Sequence, residues 1–232
     1  MLAAEDMPLI EWATRTPEPV ATLAPETGEI ADSWEEIIAH IDDGTARQRY
    51  AIGAYKPLDL DTLGTVNMQL AGFDLDDRAD GTGKAPTAWI AKECLPEGHQ
   101  WNPWGKGTDG GWAACELRQY LKETVFPAIP ASLGNRLVNV KKEQYVILEK
   151  QATEDTLWIP DFYELFRKES LYYGLFENTS EKRIKTKSGS ASVWWLRSAY
   201  VSSTVYAVSS DGSINGGNNV DLAHGVVVGF CL

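Results

Sequence analysis

The chain has 232 residues, 44% of them apolar, and a formal net charge of −12. That is enough for one globular domain with a small extension, and the acidic balance argues against nucleic-acid backbones and anionic membrane surfaces as partners. Cys94, Cys115 and Cys231 are widely spaced, with no C-x-x-C pair. They read as buried thiols rather than as a disulfide framework or a metal site, and no cofactor is expected.

Residues 1–32 form an N-terminal arm, rich in Pro, Thr, Glu and Ala, with a strand predicted near Leu9-Ile10-Glu11-Trp12 or a partly disordered leader in its place. The N-terminus has no basic n-region and no apolar h-region, and no stretch is long enough to span a bilayer. The expectation is a chain made in a cytoplasm and not exported by a signal peptide.

Ser33-Trp34-Glu35-Glu36 opens a helix, with Ser33 as cap and Glu36 at the capping-box position; Trp34, Ile37, Ile38 and Ile41 share a face, and Gly44 ends it. A strand is predicted around Tyr50-Ala51-Ile52-Gly53. A half-buried strand follows over 65–73, where Val66, Met68 and Leu70 alternate with Thr65, Asn67 and Gln69. Asp74 to Gly81 is acidic, but Arg78 stands where a calcium loop needs a ligand and no Glu closes it, so an acidic surface turn is the better reading. Gly81-Thr82-Gly83-Lys84-Ala85 lacks the first glycine and the Ser/Thr of a phosphate loop.

Trp89, Ile90 and Leu95 mark a short apolar element. Trp101-Asn102-Pro103-Trp104 lies in a glycine-rich loop leading to Trp112. Exposed aromatics on such a loop can bind sugars; packing over a core edge is their commoner fate. Residues 115–125 read as a helix with Leu117, Tyr120 and Leu121 on one face, terminated by Pro127 and Pro130. Strands are predicted within 137–149 and at 156–160, then a helical turn from Pro160 to Phe166. Lys182, Arg183, Lys185 and Lys187 are read as a solvated basic hairpin or loop.

The last forty residues differ from the rest. Val193-Trp194-Trp195-Leu196-Arg197-Ser198 and Gly225-Val226-Val227-Val228-Gly229-Phe230 are strand-like and apolar. Between them, Ala199 to His224 contains no Lys, Glu, Gln, Met or Trp. Ser210-Asp211-Gly212-Ser213 is a hairpin turn, and Gly216-Gly217-Asn218-Asn219 reads as a second turn. A Gly/Asn/Ser-rich loop set would deplete long side chains by itself, but Tyr200, Tyr206, Ile214 and Leu222 are mixed in, so this is no flexible linker.

The order Ser33-Trp34-Glu35-Glu36, Gly111-Trp112, Leu157-Trp158-Ile159-Pro160, Trp194-Trp195-Leu196-Arg197-Ser198, Asp211-Gly212 and Gly225-Val226 resembles a family of bacterial and bacteriophage domains related to the C-type-lectin fold of formylglycine-generating enzymes. The resemblance covers residues 33–232. It implies an α+β domain of that fold, with mixed and antiparallel sheets, two main helices and long irregular loops. Some such domains are variable proteins of diversity-generating retroelements, rewritten at template adenines. Asn codons of the AAY type then become almost anything except Lys, Glu, Gln, Met and Trp, the types missing from 199–224. One departure is that many relatives carry Arg-Pro after the Gly-Val, where Val227 and Val228 stand here.

On this reading the function is a non-enzymatic, hypervariable ligand-binding module. Tyr200, Ser202, Ser203, Thr204, Tyr206, Ser209, Asn215, Asn218, Asn219, Asp221 and His224 form the contact face, a Tyr/Ser/Asn composition like that of antibody paratopes. Trp194, Trp195 and Arg197 are its scaffold, Arg197 as a buried anchor tying down loop carbonyls. The partner is a protein or glycan on a cell surface, the setting a virion tail or the cytoplasm, and the arm an attachment to other virion proteins. The alternatives are a formylglycine-generating-type oxidase, which needs a copper-bound cysteine pair, and a fixed-specificity lectin-like or structural virion protein.

Overall fold

A computed structural model describes residues 27–146, 149–166, 174–176 and 180–232. The strand expected near Leu9–Trp12 lies outside the described residues.

The chain is an α+β domain. Its main sheet has five strands in the order β1-β2-β3-β12-β6: β1 Tyr55–Asp59, β2 Thr65–Phe73, β3 Thr87–Ala91, β6 Leu157–Trp158 and β12 Gly229–Cys231. Every neighbouring pair is antiparallel. The final strand is therefore an inner one, inserted between β3 and β6, so Phe230, Cys231 and Leu232 are core residues although they end the sequence. All five residues of β3 are buried, as an inner strand covered on both faces requires. β2 shows the expected alternation, with Val66, Met68 and Leu70 buried.

Helix α1 (Trp34–Asp42) packs on this sheet. Its capping box is complete: Glu36 N–H donates to Ser33 Oγ at 3.2 Å, and Ser33 N–H donates to Glu36 Oε2 at 2.7 Å. Trp34 meets the Trp89 ring at 5.1 Å and the Phe230 ring at 5.9 Å, and donates its indole N–H to Pro57 O.

Some elements depart from expectation. Beyond the short helix α2 (Ala46–Arg49), Tyr50 is extended and makes only a single bridge, Ile52 and Gly53 form a turn, and the strand begins at Tyr55. There Tyr55 pairs with the Gly28–Ile30 segment, which buries Ile30. After the one-turn α3 (Gly111–Ala114), α4 (Glu116–Tyr120) widens into a π-helical turn over Leu121–Val125 and continues through α5 (Phe126–Ala128). Pro127 does not stop it: it sits inside the helix directly after the π-helical turn, and the helix ends at Ala128, before Pro130. A further one-turn helix, α6 (Ala131–Gly134), precedes β4 (Val140–Val146) and β5 (Glu149–Asp155), which form a two-stranded ladder. Helix α7 is Phe162–Phe166.

The basic segment forms a hairpin, β7 (Lys185–Lys187) with β8 (Ser190–Ser192), but it is not simply solvated. Lys185 is 2% exposed and donates to Ala91 O at 2.7 Å, and burial pulls its ammonium down to about 8. The C-terminal sheet has the order β11-β10-β9, from β9 (Trp194–Val201), β10 (Thr204–Val208) and β11 (Ile214–Asn219). Trp195 N–H donates to Gly225 O, and Gly225 N–H to Val193 O, which joins this sheet to the chain entering β12.

Candidate functional site

The inner side of β9 is a frame of buried groups. Trp194 donates its indole N–H to Arg183 O at 3.0 Å, and Trp195 donates to His99 O at 2.7 Å. Arg197 is fully buried. Its two terminal nitrogens each donate to one oxygen of Glu164 at 2.7 Å, and they also donate to Ile159 O and Glu143 O. The anticipated tying of carbonyls is present, and a two-point ion pair is added to it.

Glu164 also accepts from Asp161 N–H at 2.7 Å, while Tyr163 N–H donates to Asp161 Oδ1 at 2.8 Å. This is a buried D-x-x-E cap on α7. Ser198 of β9 completes it, donating its hydroxyl to Asp161 and accepting from Phe162 N–H. Lys142 approaches Glu164 from the other side at 3.3 Å, lies 3.5 Å above the Trp158 ring and pairs with Asp76. Burial alone would raise the Glu164 carboxyl; Arg197, then Lys142, reverse this and hold it well below the carboxylate range. Burial raises Asp161, against the pull of Arg197.

On the outer side the chain is exposed. Tyr200, Ser202, Ser203 and Asn219 are exposed; Thr204, Tyr206, Ser209, Asn215, Asp221 and His224 are half-buried; Asn218 is buried. Asn218 is a brace in this arrangement: its amide donates to Asn215 O at 3.0 Å, and its carbonyl oxygen lies 3.1 Å from His224 Nε2. His224 packs on Trp195 at 4.4 Å between rings, and burial lowers its pKa.

Tyr206 sits at the centre of an irregularity. Val205 and Ala207 pair with Ala199 and Trp195 on one side and with Asn218 and Asn215 on the other. Both flanking strands therefore carry extra residues opposite Tyr206, and such bulges re-aim side chains. The Tyr206 ring lies 5.0 Å from Tyr200 and 5.0 Å from Phe162. The expected second turn at Gly216–Asn219 lies inside β11 instead. Gly217 takes φ +100°, and a side chain at Gly216 would meet the Tyr206 and Tyr200 rings at 3.2 and 3.3 Å. These glycines serve the bulge and the rings above it, not a reversal of the chain.

The 101–110 loop abuts this face. Thr108 donates its N–H to Ser202 O and its hydroxyl to Val201 O, and Trp101 and Asn102 both donate backbone N–H to Val220 O. Trp101 and Trp112 are buried core residues, whereas Trp104 is 83% exposed. The sequence carries no signal that sets this loop against the segment; Pro103 and Gly105 mark only that Trp104 lies in a loop.

A family model described as a domain of unknown function (DUF6273) matches residues 87–232, more than half of the chain. The chain belongs to the DUF6273 family. No curated protein and no solved structure matches it. The DUF6273 region runs from β3 to the end of β12, so it contains β9, β10, β11 and the loop of Trp104, while α1, β1 and β2 precede it.

Other candidates in this DUF6273 protein point elsewhere. The acidic turn disperses its carboxylates: Asp74 pairs with Arg47, Asp76 with Lys142, Asp77 with Lys84, and Asp80 accepts from Thr82. The cysteines are free and differently surrounded. Cys94 lies against Gly225, Cys115 accepts from Arg118 N–H, and Cys231 contacts Asp76. Burial pushes the Cys94 thiol to about 11 and Cys115 to about 12, and burial and then Asp76 raise Cys231. Among the described residues, no helix is long and apolar enough to cross a membrane.

Proposed function

We propose that this DUF6273 domain is a non-enzymatic ligand-binding module on a C-type-lectin-like fold, with its 199–224 segment diversified by a retroelement. The observation that carries this reading is a coincidence of composition and exposure. Six large apolar side chains are exposed among the described residues, and Tyr200, Val201, Ile214 and Leu222 are four of them. All four come from the stretch without Lys, Glu, Gln, Met or Trp. They are spread along the C-terminal sheet, Val201 opposite Thr204 and Ile214 opposite Val208, so the apolar exposure supports an extended contact face rather than a solvated loop. Beneath it, Trp194, Trp195 and Arg197 are held by bonds to parts of the chain outside the segment, so the face can change without the frame.

The setting that fits is a phage-encoded, tail-associated receptor-binding protein. Its partner is then a protein or glycan on a cell surface, and residues before the domain attach it to a larger assembly. The oxidase reading has less support: copper chemistry needs two thiolates at one place, and here three thiols with raised pKa values keep separate surroundings.

A display library randomised at Tyr200, Ser202, Ser203 and Asn219 tests the proposal. Most members should express and unfold like the parent, and selection against different cell-surface preparations should enrich different sequences. A library in which most members fail to fold would sink it.

A further inference from the structure

The loop of Trp104 lies outside the biased segment yet carries the most exposed large apolar side chain among the described residues, at 83%. Leaving an indole in water has no structural benefit, and the loop is not loose. Asn102 is fully buried and uses both ends of its amide, donating to Gly107 O at 2.8 Å and accepting from Glu116 N–H at 2.9 Å. A Cβ on Gly107 would come within 2.6 Å of Ser202 O, so the loop base presses on the β9–β10 turn. Lys106, the nearest cation in sequence, is engaged with Ala114 O at 2.8 Å. The indole is thus presented by a pre-organised loop fixed to both ends of the diversified segment, through Ser202 and through Val220.

We propose that Trp104 is a constant stacking platform for an uncharged glycan chain, shared by every sequence the 199–224 segment adopts. The proposal rests on the ligand-binding reading above and names its ligand class. The negative face of an indole attracts the polarised C–H groups of a pyranose ring, and a flat exposed ring suits that contact. Tyr200, Ser202, Ser203 and Asn219 are exposed on the segment that this loop is bonded to, through Thr108 to Ser202 O and through Trp101 and Asn102 to Val220 O, and they offer neutral hydrogen-bonding groups. The segment holds Asp211 and Asp221 but no Lys or Arg, on a chain of net charge −12, which favours a neutral glycan over an acidic one even with Arg183 and Lys187 nearby.

The test uses the full chain with maltohexaose, cellohexaose and chitohexaose as neutral probes, and sialyllactose and a heparin hexasaccharide as acidic ones. The Trp104 indole N–H resonance is identified by its loss in Trp104→Phe. At least one neutral probe at up to about 10 mM should move that resonance. Trp104→Ala should weaken binding about tenfold or more, and Trp104→Phe should retain part of it. A chain with Tyr200, Ser202, Ser203 and Asn219 all replaced should still bind a neutral probe through Trp104. Failure of every neutral probe, tighter binding of the acidic ones, or binding unaffected by Trp104→Ala overturns the platform. If a protein ligand is found whose capture depends on 199–224 but not on Trp104, the platform falls while the binding-module reading stands.

Discussion

Arg197 gives both ends of its guanidinium to Glu164, at 2.7 Å on each carboxylate oxygen, with neither side chain more than 1% exposed. The pair joins the first residues of the C-terminal sheet to the cap of α7. Removing one partner leaves the other charge buried, which costs about 3–5 kcal/mol. Arg197→Met and Glu164→Gln should therefore each destabilise the domain by about that much in urea unfolding. Arg197→Lys should not rescue it, because an ammonium cannot make the two parallel bonds or reach Ile159 O and Glu143 O together.

The same carboxyl sets an acid limit. Its folded pKa is depressed to about 2, from 4.5 when free: burial opposes the shift, and Arg197 and Lys142 impose it. Stability from a depressed carboxyl is present above the unfolded pKa and is lost as pH falls through the folded one. Thermal stability should therefore fall as pH drops below 4.5. Glu164→Gln, already destabilised, should show a shallower fall over the same range.

Lys185 has the opposite kind of cost. Burial lowers its ammonium from 10.5 to about 8. Below pH 8 the fold carries the full penalty of that buried charge, and the penalty fades as pH rises toward 10.5. Lys185→Met should be more stable than the parent at pH 7, and the gap should narrow between pH 8 and 10 in matched unfolding curves.

Gly212 explains the Asp-Gly turn between β10 and β11. It takes φ +80°, and a Cβ there would collide with the Ser180 carbonyl. Arg183 bonds to Gly212 O at 3.0 Å, holding the turn against that segment. Gly212→Ala should cost about 2 kcal/mol or more, from strain and displaced backbone together.

A contrast within the segment separates face from frame. Substitutions at Tyr200, Ser202, Ser203 and Asn219, all exposed, should change stability by about 0.5 kcal/mol or less. Asn218→Ala should cost about 1–3 kcal/mol, because it strips the partner of Asn215 O and His224 within a buried brace. Urea midpoints of the single variants check both halves.

Local rules were legible where a few neighbouring residues decide the outcome. Ser33 and Glu36 set a capping box, alternation set β2, and Asp211-Gly212 set a turn; Arg197 could be read as an anchor because an arginine in a Trp-Trp-Leu-Arg-Ser strand needs acceptors. Its main acceptor, Glu164, was not legible, because it lies in a different element. Lys185 looked like part of a solvated basic run; its burial depends on Ala91 O, 94 residues away in sequence. Gly216 and Gly217 carry a turn signature, and only the bulge opposite Tyr206 turns them into strand residues. Trp101, Trp104 and Trp112 share one loop composition, yet the first and last are buried and Trp104 is exposed, a difference set by tertiary packing rather than by neighbouring residues.

The most direct test of the central claim is sequencing of the genomic locus across many isolates, with the few kilobases downstream. The account predicts a near-copy of the region encoding Ala199 to His224, with adenines at the codons that vary. It also predicts differences between isolates concentrated at exposed positions such as Tyr200, Ser202, Ser203 and Asn219, with Trp104, Trp194, Trp195 and Arg197 unchanged. A locus without a template copy, and a segment constant among isolates, would contradict it and leave a domain of fixed specificity.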